Sequence, residues 1–387
     1  MSLVEQLRTD ETLRQKEFPV TSASVFMAHA GVTILPRRVT SAMQQYLEQS
    51  CLRHQEYPEA WKAVLETRAL AARLIGAKAS EIALLGPTSL GLNLVALGLE
   101  WAPGDEVVCY LDDYPANVYP WMELQRKGVT VRFLKPNGLG GITPEIVAAS
   151  LTARTKLVSI ASCHYLTGNR IDLPTIGSLL KSRGILFCLD AIQTLGAFKT
   201  TVEHVDFLSA DAHKWLLGPM SAGIVYVREE LHERLRPALL GSWNVRSPQF
   251  IAQETIEFES GGRRFEPGAM NIAGILGMRA ALELIGEAGV DAISARLLQL
   301  REMIHEALPT WEFLSVVDGC LPSGIITGRP LGATEDQMTQ LFARLTASNI
   351  VASHRHDRSG KSYIRFSPHF YNHESEIERL ASVINGS

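Results

Sequence analysis

One lysine, Lys214, lies where a charged side chain is unexpected. It follows His213 inside SADAHKWLLGP (209–219), a mostly apolar run that ends in glycine and proline. Burial lowers the pKa of a lysine and leaves a neutral amine, the form that attacks a carbonyl group to make a Schiff base. The alternative for any single lysine is a buried stem with a solvated head.

Three further polar positions lie at or just after the ends of apolar runs. Asp190 ends the run GILFCLD (184–190), and Gln193 comes three residues later. A buried carboxylate needs a partner, so Asp190 is either a cap or structural ion pair, or the counter-ion of a protonated ring nitrogen. Tyr114, after EVVCYLDD (106–113), either packs at a sheet edge or stacks on a flat heteroaromatic ligand.

Hydroxyl and guanidinium groups supply the remaining candidates. Thr88 and Ser89 precede a predicted helix at 90–101, where they either cap the helix or cradle a phosphate. Arg365, in the run YIRFSP (363–368), is either a surface arginine or a group that grips a carboxylate through two hydrogen bonds. Taken together, these positions are the parts of a site for pyridoxal 5'-phosphate and an amino acid.

The spacing of apolar residues predicts the elements that position these side chains. Between about residues 80 and 230, short β-rich runs alternate with segments of helical period, which is typical of a mostly parallel sheet covered by helices on both faces. Longer helices and short strands follow after about residue 270. We expect an α/β fold with a large domain at 40–280 and a small α+β domain formed by 1–39 and 281–387.

The individual elements follow from the same patterns. The predicted strands of the large domain are 106–113, 129–135, 156–162, 184–190, 205–211 and 221–227, and its predicted helices include 143–151 and 173–184. In the small domain we predict helices at 271–289 and 333–349 and strands at 324–330 and 363–368. Because ligands of such sheets bind beyond the carboxyl ends of the strands, the candidate residues should meet there.

Composition and charge limit the class of partner that the protein is expected to bind. The chain has 387 residues, of which 20% are charged, and a formal net charge of -4 without blocks of like charge. A small molecule is therefore expected, and no nucleic acid or membrane partner. The N-terminus lacks the pattern of a secretory signal, and the five scattered cysteines indicate neither a disulfide framework nor a metal site, so we expect a cytoplasmic protein.

From about residue 25 to the C-terminus, the sequence resembles the class V aminotransferase family of fold-type I pyridoxal-phosphate enzymes. This family includes cysteine desulfurases, isopenicillin N epimerase and kynureninase. The most specific match is a D-x-x-Q and H-K signature formed by Asp190, Gln193, His213 and Lys214. The resemblance implies the fold-type I architecture, pyridoxal 5'-phosphate as cofactor, and a homodimer with active sites at the subunit interface.

The resemblance also implies a role for each matching residue. Lys214 would form the imine with the cofactor and act as base at the substrate Cα, and Asp190 would keep the ring nitrogen protonated. The other cofactor contacts would be Thr88, Ser89, Tyr114, Gln193 and His213. The catalytic set would be Lys214, Asp190, Tyr114 and Arg365, and the substrate contacts would be Arg365 and Tyr165.

Three features depart from the family pattern. Desulfurases carry a catalytic cysteine in the loop before the carboxylate-binding arginine, but 349–365 contains none, so we expect that the chain is not a persulfide-forming cysteine desulfurase. Ala269 replaces a common threonine in RFEPGAMN (264–271), which resembles the loop that reaches the neighbouring subunit's cofactor phosphate. Asp211 stands where serine is frequent, and a carboxylate near a phosphate is repulsive unless it is paired.

The family shares an external aldimine and Cα deprotonation, and side chains over the substrate determine the outcome. We expect a small amino-acid substrate and either transamination or β-elimination of a C–S bond, with an epimerase as the alternative and a non-catalytic cofactor-binding sensor or accessory protein as an alternative of another class. HRHDR (354–358) is either a solvated loop or an electropositive lid for a second carboxylate. His29, Tyr165 and Trp243 are further candidates for this shell.

Overall fold

The computed structural model of the chain describes residues 2–386, in which helices and short strands alternate. The strands are β1 (Val25–Phe26), β2 (Ile82–Leu84), β3 (Glu106–Cys109), β4 (Thr130–Phe133), β5 (Thr155–Ala161), β6 (Leu186–Asp190), β7 (Phe207–Asp211), β8 (Gly223–Val227), β9 (Trp311–Phe313), β10 (Ile326–Pro330), β11 (Ile350–Val351), β12 (Ser353–His356) and β13 (Ser362–Phe366). The α-helices are α1 (Leu3–Thr9), α2 (Glu11–Glu17), α3 (Arg37–Ser50), α4 (Pro58–Ile75), α5 (Thr88–Gly98), α6 (Tyr119–Glu123), α7 (Pro144–Ser150), α8 (Leu173–Ser182), α9 (Ile272–Ala288), α10 (Val290–Ala307), α11 (Glu335–Ala347) and α12 (Glu374–Asn385).

Within residues 2–386, seven strands form the central sheet, in the order β2, β8, β7, β6, β5, β3, β4. Strand β8 is antiparallel to both of its neighbours, and the other pairs are parallel. Strands β3, β6, β7 and β8 are buried along their whole length. The expected mostly parallel α/β sheet is therefore confirmed.

Alternate residues of one strand enter different cores, as the two-residue period of a strand requires. In β6, Phe187 and Leu189 belong to one hydrophobic cluster, while Leu186 and Cys188 belong to the cluster on the other face. Helices α4, α8 and α9 cover the first face, and α5 covers the second. The strands are apolar throughout because both faces are buried.

A smaller antiparallel sheet lies in the C-terminal part, with the strand order β12, β13, β10, β9. Its core is shared with α10, α11 and α12. In the β12–β13 hairpin, Ser353 is paired with Arg365 and Arg355 with Tyr363. The N-terminal segment runs beside this lobe, since β1 pairs with β11 and Ala28 bridges Ser367.

The predicted elements of both lobes are present, with ends shifted by a few residues. Helix α9 continues through residue 280 without a break, so the backbone does not change at the end of the large domain predicted at 40–280. These domain bounds stay a prediction. Among the described helices, none is long and apolar enough to cross a membrane.

Candidate active site

A cavity of about 400 Å³ lies between the central sheet and the small lobe. The nine residues to which the family resemblance assigns a role line it: Thr88, Ser89, Tyr114, Tyr165, Asp190, Gln193, His213, Lys214 and Arg365. Most of them follow the carboxyl ends of β2, β3, β5, β6 and β7, whereas Arg365 comes from β13. The sheet therefore brings together residues that are far apart in sequence, as expected for a parallel sheet.

The Lys214 amine is buried and has no polar partner within residues 2–386. The residue is 7% exposed, and within residues 2–386 its amine has no hydrogen bond or ion pair. Burial lowers the pKa of Lys214 to about 8, the nearby Asp190 carboxylate opposes this effect, and Arg365 adds to it. Its Nζ lies 5.3 Å from the centre of the Tyr114 ring. A neutral, nucleophilic amine is thus accessible near neutral pH.

Asp190 ends β6 at the floor of the cavity and is 2% exposed. Its Oδ1 accepts a hydrogen bond from the Ile192 N–H at 3.0 Å, the one hydrogen bond to this carboxylate from residues 2–386. Burial raises the pKa of Asp190, while the Ile192 N–H and Lys214 lower it. The carboxylate therefore needs a cationic partner to stay ionised, such as a protonated ring nitrogen.

Asp113 is a second buried carboxyl group, which the sequence reasoning did not identify. Its oxygens accept hydrogen bonds from the N–H of Tyr114 at 2.7 Å, the amide of Asn117 at 3.1 Å and the N–H of Ala161 at 3.2 Å. Burial, and then the charge of Asp190, raises the pKa of Asp113 to about 7. These bonds fix the turn that carries the Tyr114 ring to the end of β5.

Gln193 is held on both sides of its amide group. Its Oε1 accepts a hydrogen bond from the Trp215 indole at 2.8 Å, and its Nε2 donates to the Ala30 carbonyl at 3.1 Å. One N–H of Nε2 remains for the cavity, because an amide nitrogen carries two. This N–H is the group available for the predicted contact to the cofactor's phenolic oxygen.

The first turn of α5 also lines the cavity, through Thr88 and Ser89. Pro87 precedes the helix without a side-chain cap, so the first backbone amides are open to an anion. The Thr88 hydroxyl accepts the Asp211 N–H at 2.9 Å and keeps its own proton to donate. Oδ1 of Asp211, whose role the sequence left open, lies 2.8 Å from Nδ1 of His213, while its buried Oδ2 has no hydrogen-bond partner within residues 2–386.

Arg365 is 1% exposed and faces the cavity. Its Nη1 donates to the Tyr165 carbonyl at 2.6 Å and its Nη2 to the Ser353 hydroxyl at 3.4 Å. Burial, followed by the charge of Arg355, lowers the pKa of Arg365 to about 9. A buried guanidinium that binds only neutral acceptors is suited to a carboxylate ligand.

Other candidates lie away from the cavity. His29 is enclosed by Thr33 at 2.6 Å and Tyr371 at 3.0 Å, and Trp243 stacks on Trp61. In HRHDR, His354 stacks on Phe342, and Arg358 forms an ion pair with Asp112 outside the cavity. Of that segment, Arg355 alone lines the site within residues 2–386.

Comparison with known proteins identifies the family. A family model described as "Aminotransferase class-V" matches residues 25–380. The chain belongs to the class V aminotransferase family. A probable cysteine desulfurase from Methanothermobacter thermautotrophicus is 25% identical over an alignment that covers 98% of both proteins.

Solved structures have the same fold. The apo cysteine desulfurase from Thermococcus onnurineus NA1 matches with a TM-score of 0.88 and 24% identity over 96% of both chains. A variant of C-DES with glycine covalently linked to its PLP cofactor matches with a TM-score of 0.85 and 19% identity, over 96% of this chain and 98% of that one. The fold-type I architecture is therefore confirmed.

These results identify the chain as a class V, pyridoxal 5'-phosphate-dependent aminotransferase-like enzyme. They give no support to the epimerase alternative. The site also fits the cofactor: within residues 2–386, the Lys214 amine has no hydrogen bond or ion pair, the Asp190 carboxylate has no ion pair, and the first turn of α5 has no side-chain cap. The individual roles of the site residues stay predictions.

One expectation from the sequence is wrong. The missing cysteine in 349–365 led us to expect that the chain is not a persulfide-forming cysteine desulfurase, but the two proteins from Methanothermobacter and Thermococcus, which match over nearly the whole chain, are named as a probable cysteine desulfurase and a cysteine desulfurase. The expectation relied on one segment of the small lobe, which folds as β11, β12 and β13. The residues predicted to act at the substrate Cα, Asp190 and Lys214, come from the central sheet, so the lack of a cysteine in that segment does not exclude C–S cleavage.

Proposed function

We propose that this enzyme cleaves the carbon–sulfur bond of cysteine or of an S-substituted cysteine. The observation that carries the proposal is the similarity over 98% of the chain to a probable cysteine desulfurase. The cavity supports it, because a buried amine and a buried guanidinium face the same space. This pair of groups suits an α-amino acid, which presents a proton at Cα beside a carboxylate.

Several residues that line the cavity have a proposed role in this reaction. When bound, the cofactor withdraws electrons from the substrate Cα through its ring. Asp190 would hold the ring nitrogen protonated, and Lys214 would accept the Cα proton at Nζ, as its pKa of about 8 allows. Arg365 would hold the α-carboxylate. The contacts to the ring and its substituents would come from Thr88, Ser89, Tyr114, Gln193 and His213.

Two product sets are consistent with C–S cleavage. In β-elimination, an S-substituted cysteine and water give a thiol, pyruvate and ammonium. In desulfuration, cysteine and a thiol acceptor give alanine and a persulfide. Both reactions begin with the Cα proton and the same residues, and the sulfur acceptor distinguishes them.

A product assay of the holoenzyme tests the proposal. Incubation with L-cysteine or an S-substituted cysteine, followed by quantification of pyruvate, alanine, sulfide and persulfide, should give cleavage products. Lys214→Ala should abolish them. Transfer of the amino group to an added keto acid with the C–S bond intact would show a transaminase instead.

We also infer a homodimer in a reducing, cytoplasmic setting. Five large apolar side chains in the stretch 239–256 are exposed: Leu239, Leu240, Phe250, Ile251 and Ile256. Exposed apolar groups are frequent at protein interfaces, and the five cysteines are free. Sedimentation analysis should give a particle twice the mass of the 42.6 kDa chain.

A further inference from the structure

Two guanidinium groups share the cavity wall that the β12–β13 hairpin forms. Arg365 donates to neutral oxygens, as described above. Arg355 also lines the cavity, and across residues 2–386 it makes neither a hydrogen bond nor an ion pair, with its Nε buried and unpartnered. No acid of the described chain neutralises either group.

The strand register places the two side chains on one face. Arg365 is the cross-strand partner of Ser353, and Arg355 lies two residues further along β12. Directly paired residues share a face, as do residues two apart in a strand, so the arginines are diagonal neighbours. A Cβ atom at Gly31 would lie 3.5 Å from Nη2 of Arg365 and 3.6 Å from Nη2 of Arg355.

On the central-sheet side of the cavity, basic and acidic groups lie near one another. The charge of Asp190 acts on the Lys214 amine, and Oδ1 of Asp211 lies 2.8 Å from Nδ1 of His213. The Arg355 charge lowers the pKa of both Lys214 and Arg365, so the two cations of the hairpin are not balanced from within the chain. The α-carboxylate of an amino acid supplies a single negative charge. A second anion is needed to balance both guanidinium groups.

We propose that Arg355 binds a second anionic group of the substrate, a carboxylate at the end of its sulfur substituent. The preferred substrates are then S-substituted cysteines with two carboxylates, such as cystine or S-carboxymethylcysteine. The identity of the substrate rests on the proposed C–S cleavage, whereas the anion site rests on the two arginines alone.

A matched pair of substrates tests this assignment. S-carboxymethyl-L-cysteine and S-carbamoylmethyl-L-cysteine differ in one group, a carboxylate in the first and a neutral amide in the second. Arg355→Gln should reduce the ratio of kcat/KM for the acid over the amide by about 10- to 100-fold, as for loss of a charge-assisted hydrogen bond. Arg355→Lys, which keeps the charge, should restore part of the ratio.

The same hairpin offers a control. Arg358 is 61% exposed and pairs with Asp112 outside the cavity, so Arg358→Gln should leave the acid-to-amide ratio unchanged. If Arg355→Gln lowers kcat/KM for acid and amide equally, Arg355 serves the α-carboxylate or the fold, and the proposal is overturned. An equal change in the ratio for both variants, reflecting only general charge, overturns it as well.

A binding experiment separates this proposal from the proposed function. Titration calorimetry of the holoenzyme compares malonate, succinate, glutarate and adipate with monocarboxylates of equal carbon number. At least one dicarboxylate should bind about tenfold more tightly than its match, and Arg355→Gln should remove the preference. Equal affinities in the unsubstituted enzyme overturn the anion site. A dicarboxylate preference without any C–S cleavage supports the anion site and contradicts the proposed function.

Discussion

The cavity has two walls that differ in the charges they carry. The sheet wall is formed by the lining residues at the ends of β2, β3, β5, β6 and β7, and the hairpin wall by those of β12 and β13. On the sheet wall, Lys214 faces Asp190, and Asp211 pairs with His213 at 2.8 Å. On the hairpin wall, Arg355 and Arg365 meet no acid of the described residues. A wall that carries groups of both signs would suit a cofactor that is the same in every cycle. A wall that carries only positive charge would favour an anionic substrate, and so would select among substrates.

The difference follows from how the walls are built. The sheet wall consists of the ends of strands buried on both faces, so its side chains are held by two cores. The hairpin wall belongs to a small antiparallel sheet in which β12 is partly exposed. Substitutions on the sheet wall should therefore affect the chemical step, and those on the hairpin wall should affect substrate binding.

The largest expected effect is that of Lys214→Ala. Loss of the base at Cα should reduce turnover by at least about 10²- to 10⁴-fold. Borohydride should also no longer attach the cofactor to the protein, as measured by mass spectrometry. Lys199, which is exposed, provides the control: Lys199→Ala should keep both properties. Normal turnover in Lys214→Ala would contradict the assignment of the sheet wall.

Asp190→Asn and Arg365→Gln compare the walls directly. Each removes a charged partner, so each should reduce kcat/KM by about 10- to 150-fold. Steady-state kinetics should assign the loss to kcat for Asp190→Asn and to KM for Arg365→Gln. If Arg365→Gln changes kcat alone, the distinction between the walls is wrong.

The pH dependence of cofactor binding to the apoprotein measures the pKa of Lys214 on the sheet wall. Because the pKa of Lys214 is lowered to about 8, its amine is mostly neutral above that pH and protonated below it. The rate at which the apoprotein forms its visible absorbance band with the cofactor should rise about tenfold per pH unit below 8 and then level off. Asp190→Asn should shift the midpoint to lower pH, since Asp190 stabilises the charged amine. A rise that continues to pH 10 would show an unperturbed lysine.

The smallest effect is expected for Arg358→Gln. The ion pair of Arg358 with Asp112 joins the hairpin to the loop after β3, but the arginine is 61% exposed. Exposed pairs contribute at most about 1 kcal/mol, so the free energy of unfolding should change by no more than that. Urea denaturation measures it. A larger loss would mean that the hairpin wall is held by this pair and not by its strands.

The sequence predicted the sheet wall more completely than the hairpin wall. Buried parallel strands read as apolar runs, and their ends mark the cavity, so Asp190 and Lys214 could be found in this way. Strand β2 was not predicted because it has three residues, too few for a pattern. The contacts of Asp113 were missed because Ala161, one of its partners, comes from another strand.

The orientation of Arg355 could not be read from the sequence. HRHDR contains two arginines and two histidines, and the register of β12 against β13 selects which of them faces the cavity. That register depends on long-range pairing. The absence of a cysteine in 349–365 led to a wrong prediction for a related reason. One missing residue in a local motif is a weaker indication of function than a similarity that covers 98% of the chain.

The hydrogen bond from Arg365 Nη1 to the Tyr165 carbonyl connects the small lobe to the loop after β5. It fixes the guanidinium relative to the central sheet, and so it sets the distance between the group proposed to bind the α-carboxylate and the Lys214 amine. An α-amino acid matches one such spacing, whereas a β-amino acid places its carboxylate one bond farther from its amino group. With Arg365 in its proposed role, this hydrogen bond would favour α-amino acids over their β-amino homologues as substrates.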